Sequence, residues 1–247
     1  MKKKEIEKHK IAVKKLELIK DKTFKFIKRN LGRVSEYDVG SFILSEFEKE
    51  NLVTDEKNPI QIVAADENTA IVHYFPRKKR AKIIKKNSLV LIDIWARLKE
   101  ERAPFTDITW MSYSGKNIPK EIRETFIKVI GARNFGVSFI KNCLKNREFP
   151  RTRDVEMATR NYFRKFGLEK FFLHRAGHSL GFHICHGKYF RFDKKSKARI
   201  KPNTPFTIEP GLYFKNRFGI RSEINCYVTE DYKLIITTKL QNEIVKI

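Results

Sequence analysis

Cysteine is scarce in this sequence: its 247 residues contain three, at Cys143, Cys185 and Cys226. An odd and scattered set makes no disulfide framework and suits a reducing compartment. Long apolar runs are also missing. The longest, Leu89-Val90-Leu91-Ile92, falls far short of the roughly 20 residues that span a bilayer. No apolar run follows the basic first residues, so no secretory leader is expected. Nor does a Pro/Gly/Ser linker or low-complexity segment divide the chain. These absences predict a soluble, cytoplasmic protein without a membrane partner. Acidic charge is the last deficit, with 29 Asp plus Glu against 53 Lys plus Arg and a formal net charge of +24. Such a field attracts polyanions but does not set a fold. The basic residues run from Lys2 to Lys246 without gathering around aromatic stacking platforms, so a solvated lysine-rich surface is preferred over a nucleic-acid footprint.

What is present suffices for a sizeable core, since 41% of the residues are hydrophobic and the length fits one large domain. Residues Ile6 to Leu31 carry Val13, Leu16, Phe24, Ile27 and Leu31 at helical spacing, which predicts one amphipathic helix stopped by Gly32. Ser35 followed by Asp38 reads as a capping box opening a second helix to about Asn51. Strands are expected at Ile60 to Ala64, Ala70 to Tyr74 and Ser88 to Ile94, with a turn at 66 to 68 and a basic loop from Arg77 to Lys86. The second half repeats the order. One helix is predicted from Pro119, as its first residue, to Cys143, and another from Thr152, as N-cap, to Phe166 before Gly167. Two helices followed by strands, twice over, predict a duplicated α+β architecture in a single domain over residues 1–247.

Several residues carry potential chemistry. Asp93 ends the apolar run as a carboxylate that is costly to bury unless it is paired or binds a metal. Asp107 follows in Thr106-Asp107-Ile108-Thr109, after a charged loop able to reverse the chain. His178 lies between Gly177 and Gly181, Glu209 precedes Pro210-Gly211, and Glu223 ends Gly219-Ile220-Arg221-Ser222-Glu223. Taken singly, each has a bland reading as a surface carboxylate, a strand-end turn or a core histidine. Together they form a hard, oxygen-rich donor set suited to divalent ions.

In order and wording, these segments resemble the pita-bread metallopeptidases, the family of methionine aminopeptidase, aminopeptidase P, prolidase and creatinase. The likeness rests on Leu91-Ile92-Asp93, Asp107-Ile108-Thr109, Gly177-His178-Ser179-Leu180-Gly181, Thr207-Ile208-Glu209-Pro210-Gly211-Leu212-Tyr213 and Gly219-Ile220-Arg221-Ser222-Glu223. It implies a pita-bread fold in which helices cover a curved, mostly antiparallel sheet. It also implies two divalent metal ions, manganese first, with cobalt, iron or zinc as alternatives. Asp93 would chelate one ion, Asp107 and Glu223 would bridge the pair, and His178 with Glu209 would complete the second site. A metal-bridging hydroxide would attack the scissile carbonyl, and Glu209 would shuttle its proton. His73 would face the substrate, while His174 and His186 would contact the carbonyl and the tetrahedral intermediate.

Arg221, two residues before Glu223, together with the His73-Tyr74-Phe75-Pro76 segment, resembles the Xaa-Pro peptidase branch more than methionine aminopeptidase. Tyr213 matches a relay tyrosine of that branch. The expected activity is therefore an aminopeptidase acting on peptides with proline second. Methionine aminopeptidase and Xaa-Pro dipeptidase are the enzymatic alternatives, and a non-catalytic module binding peptide or RNA is the alternative of another class. A monomer and a homodimer both fit.

The pattern also departs from the family. Trp95 stands where a glycine is frequent, and Asp107 follows Asp93 by fourteen positions instead of eleven. Trp110 replaces an arginine expected near the metals. One added residue after His178 favours His186 over His183. A His-Cys-His site around Cys185 is set aside because the other ligands already account for the region. A creatinase-type N-terminal domain is not expected, which leaves the entrance more open.

Overall fold

The computed structural model describes residues 1–55 and 60–247. Helix α1 (Lys3–Arg29) buries Ile6, Val13, Leu16, Ile19, Phe24 and Ile27 along one stripe, the spacing that places side chains on a single helical face. In α2 (Glu36–Lys49) the expected capping box is formed: the Ser35 hydroxyl accepts from the Asp38 N–H at 3.2 Å, and the Asp38 carboxylate accepts from the Ser35 N–H at 2.8 Å. Next come β1 (Leu52–Val53), β2 (Ile62–Ala65), β3 (Leu89–Leu98) and β4 (Thr106–Tyr113). The second half opens with α3 (Lys120–Lys145) and α4 (Thr152–Arg164). Short strands follow: β5 (His178–Leu180), β6 (His186–Arg191), β7 (Phe206–Ile208), β8 (Gly211–Phe214), β9 (Phe218–Arg221), β10 (Ile224–Val228), β11 (Leu234–Ile236) and β12 (Val245–Lys246). Among the described residues no helix is long and apolar enough to cross a membrane.

Four local expectations are corrected. Residues Ala70 to Tyr74 are not a strand. A 3-10 helix occupies Asp66–Ala70, held because the Asp66 carboxylate accepts from the Ser88 hydroxyl and the Leu89 N–H, both at 3.0 Å, while the Tyr74 hydroxyl turns to Glu36. Asp93 does not end its strand, because β3 continues to Leu98 against β1 and β4. Pro119 caps α3 from outside. Arg151, not Thr152, is the N-cap of α4, and the Thr152 hydroxyl donates to Ser196 instead.

One sheet has the order β1-β3-β4-β12, with β2 added beside β1 on the free edge of β3; all pairs are antiparallel except β4 with β12. The other has the order β11-β10-β7-β5-β6, and β8 with β9 forms a separate hairpin. Two cores result, and β3 belongs to both. Val90, Ile92, Ile94, Ala96 and Leu98 face α1 and α2, whereas Leu89, Leu91 and Trp95 face the core under α3 and α4. Burial on both faces explains why β3 reads as a continuous apolar run. Asp93 interrupts that run on the second face, and there the site forms.

Candidate metal centre

Antiparallel register sets the first two carboxylates. Asp93 lies opposite Thr109 and Asp107 opposite Trp95, so the alternation of a strand puts all four side chains on one face of the hairpin. The spacing of fourteen is taken up by longer strands and the loop joining them. Strand β10 meets β4 through Asn225, whose side-chain oxygen accepts from the Thr106 hydroxyl at 2.7 Å and the Asp107 N–H at 3.0 Å, while its amide donates to the Asp107 carbonyl. Just before β10, the Glu223 carboxylate accepts from the Thr109 hydroxyl at 2.9 Å.

His178 begins β5. A β-carbon on Gly177 would lie 2.2 Å from the Thr207 carbonyl oxygen, so glycine permits the approach that lets the His178 N–H reach the Thr207 hydroxyl at 3.0 Å. The same hydroxyl donates to Glu209 at 3.0 Å, and the Glu209 N–H reaches the Ala176 carbonyl at 2.9 Å. His178 Nδ1 bonds the Ser179 carbonyl at 3.1 Å. A donor there leaves Nε2 as a bare lone pair. That atom lies 3.3 Å from Glu209 and 3.8 Å from Asp107.

Asp107 Oδ1, His178 Nε2 and Glu223 Oε1 are buried without any hydrogen-bond partner. Asp107, His178 and Glu223 also each offer one ligand atom lying within 4.8 Å of the others. Buried polar atoms are rarely orphaned, and three neighbouring hard-donor side chains, each with one orphaned atom, fit a divalent cation. Glu209 adjoins this group through His178. Asp93 borders it too, but one of its oxygens is taken by the Arg221 guanidinium.

Arg221 is 2% exposed. Besides Asp93 it donates to the Thr109 hydroxyl at 3.0 Å, the Val72 carbonyl at 3.1 Å and the Tyr213 hydroxyl at 3.2 Å. Tyr213 in turn lies 2.8 Å from His174 Nε2, and His174 Nδ1 is 2.8 Å from the Arg175 carbonyl. His73 and His186 line the same cavity of about 1220 Å³, and the His186 ring lies 3.9 Å from that of His178. His183 is exposed and does not line the cavity. Trp110 points the other way, into the core under α1, where the Lys20 ammonium stands 3.6 Å over its ring. Its replacement of an arginine therefore does not alter the charge facing the cluster.

Burial dominates the electrostatics, with the crowding of like charges behind it. Burial first, and the neighbouring carboxylates second, push Asp107 and Glu223 well above the usual carboxylate range. Burial raises Glu209 to about 7 despite the opposing Arg221. Burial also keeps the imidazoles neutral, lowering His178 to about 4 and His174, helped by Arg221, to about 3. Although burial disfavours its charge, Arg221 is held cationic above its ordinary range by Asp93, Tyr213 and Glu209. A cavity with so many acids around one cation relaxes by binding protons or metal.

Sequence reasoning missed Thr109, Asn225 and Thr207 as parts of the site. Thr109 and Asn225 follow Asp107 and Glu223 by two positions, so strand alternation was the available signal. Cys185 was read only as a discarded ligand, yet its thiol is 3.1 Å from Asp107 Oδ2.

The family model of metallopeptidase family M24 matches residues 7–230. An uncharacterised peptidase of Schizosaccharomyces pombe is 28% identical over 182 residues, 72% of this chain and 38% of the relative. A Xaa-Pro dipeptidase of Pyrococcus furiosus is 26% identical over 170 residues, 69% of this chain and 44% of the relative. The matches thus span less than half the length of these curated relatives. Among solved structures, an X-Pro aminopeptidase of Thermotoga maritima superposes with a TM-score of 0.83 at 22% identity, covering 100% of this chain and 64% of that one. A prolidase of Thermococcus sibiricus gives 0.81 at 26% identity, with 100% and 62% covered. The architecture is the pita-bread fold.

Proposed function

Because the chain belongs to metallopeptidase family M24, we propose that it is a metal-dependent aminopeptidase that releases the first residue of peptides with proline second. The clustering of Asp107, His178 and Glu223 in one cavity, each with an orphaned buried atom, carries this reading. Asp93, Asp107, His178, Glu209 and Glu223 would hold two divalent ions, manganese before cobalt, iron or zinc. The proline preference is supported by Arg221 two residues before Glu223 and by the name of the Pyrococcus relative.

When bound, the metal supplies a Lewis acid that polarises the scissile carbonyl and acidifies water. Glu209 accepts a proton at its carboxylate and returns it to the leaving amine, the shuttle role that a carboxylate within reach of both groups can perform. His186, at the cavity wall beside His178, stabilises negative charge growing on the carbonyl oxygen. His174 serves the same oxygen, and the line from Asp93 through Arg221 and Tyr213 fixes its ring. His73 faces the substrate from the first half.

The test is hydrolysis of Ala-Pro, Ala-Pro-Ala and Met-Ala-Ala by metal-stripped protein with and without manganese. Metal-dependent cleavage before proline is expected, with kcat reduced ~10²- to 10⁴-fold in Glu209→Gln. No metal-dependent cleavage of any peptide sinks the enzyme reading. Cleavage of Met-Ala-Ala alone refutes the proline preference.

A further inference from the structure

The cavity is acidic at its floor and basic at its wall. Asp93, Asp107 and Glu223 lie buried at its floor with the part-buried Glu209, and β6 with the loop after it lines one exposed wall. Segment 188–201 is dense in Lys and Arg, with Asp193 its one acid. Several of its cations are spoken for: Lys194 pairs with Glu169, and Arg199 with Glu148. Across the mouth Arg175 pairs with Asp193. Lys188, Arg191 and Lys195 line the cavity, are exposed, and make no salt bridge among the described residues. A charged surface strand and loop are usually only solvated, but these side chains border the cleft that the proposed substrate has to fill.

We infer that Lys188, Arg191 and Lys195 form an anion-selecting wall that favours peptides carrying acidic side chains downstream of the scissile bond. This rests on the peptidase reading. A peptide lying in the cleft presents its ammonium end to the acidic floor and its downstream residues to the basic wall. Opposed fields of this kind orient a dipolar ligand and select among partners by charge. The cavity has low-dielectric sides in Phe75, Trp95, Leu173 and Ile184, which concentrate field lines between floor and wall.

The experiment compares Ala-Pro-Ala-Glu-Glu with Ala-Pro-Ala-Gln-Gln, each as the free acid and as the C-terminal amide. Binding is measured by calorimetry on the manganese-supplied Glu209→Gln protein, and kcat/KM on the wild type. The acidic amide is expected to bind about tenfold more tightly than the neutral amide at low salt, with the difference shrinking as salt rises. Lys188→Glu, Arg191→Glu and Lys195→Glu together reverse the preference, and the three glutamine substitutions abolish it. Lys128→Glu with Lys165→Glu, beside Phe166 and Phe135 and outside the cavity lining, also lowers the net charge and leaves the preference intact. Equal affinity for the two amides, or no binding of either, overturns the inference. So does a preference that appears only between free acid and amide, since the terminal carboxylate alone would then be recognised. Charge-selective binding without cleavage of any peptide refutes the peptidase reading and keeps the wall.

Discussion

At Asp107 one oxygen is met by a thiol and the other by nothing. Burial and its carboxylate neighbours hold this group well above its usual range, so without metal the site favours a protonated, neutral side chain there. Replacement by the near-isosteric amide then removes a strained ionisable group and the ligand together. Asp107→Asn is expected to leave the metal-stripped protein no less stable than the wild type, and to remove most of the rise in melting temperature that manganese gives. Thermal unfolding with and without the ion reads both effects. A purely structural carboxylate would give the opposite result, a less stable stripped protein with the metal response intact. Residue identity announced this position only in company. In the sequence Asp107 is a single carboxylate in a β-like run, and its convergence with Glu223 depends on Thr109 bridging to a residue 114 positions away, which no local pattern encodes.

Among the elements, the second helix of each half does the same work with a buried glutamate. Glu36, at the start of α2, accepts from the Ala65 N–H at 2.7 Å, the Lys82 N–H at 2.8 Å, the Tyr74 hydroxyl at 2.5 Å and the Asn68 amide at 2.9 Å. It thereby pins both ends of the segment bearing His73. Glu156 of α4 accepts from the Ala176 N–H at 2.6 Å and pairs with Arg160, which donates to the carbonyls of Phe172 and His174. An amide at position 36 would turn one of its own donors toward these donors. Glu36→Gln should therefore lower stability by about 3 kcal/mol, measured as a shift in denaturant midpoint, whereas Glu48→Gln on the exposed face of the same helix should change it by less than ~0.5 kcal/mol.

The helices themselves were readable from apolar spacing and from the Ser35/Asp38 capping box, because those signals are local. The strand expected at Ala70 to Tyr74 failed for the converse reason. Among the described residues this segment pairs with no strand, and the Glu36 and Asp66 contacts that shape it come from distant parts of the chain. Likewise the β3–β4 hairpin was suggested by an apolar run and a charged loop, but which face carried the acids became fixed only by packing between the two cores.

For the molecule as a whole, His9 ties the first helix to the rest. It is fully buried, with Nδ1 2.9 Å from the Phe105 carbonyl and Nε2 3.0 Å from the Thr237 hydroxyl. Burial lowers its pKa from 6.5 to about 4. Between those values the unfolded chain binds a proton that the folded chain refuses, so this residue's contribution to stability is present above the unfolded value and declines as pH falls toward the folded one. From about pH 7 to about pH 5 the wild type should lose about 2 kcal/mol more than His9→Gln. Equal losses in parallel denaturant titrations would show that this histidine does not set the acid response. Nothing local in the sequence distinguishes His9 from the other polar residues of its helix, since its partners lie 96 and 228 positions away.

Strand β3 has one face in each core and carries Asp93 on the inner one. The acidic cluster is therefore not a detachable ornament on a scaffold. Anyone transplanting it to another protein would have to carry both hydrophobic layers that grip this strand, because a host supporting only one would leave the strand free to slide or flip. A slip of a single position would bring Ile92 or Ile94 to the cavity and send Asp93 beneath the helices.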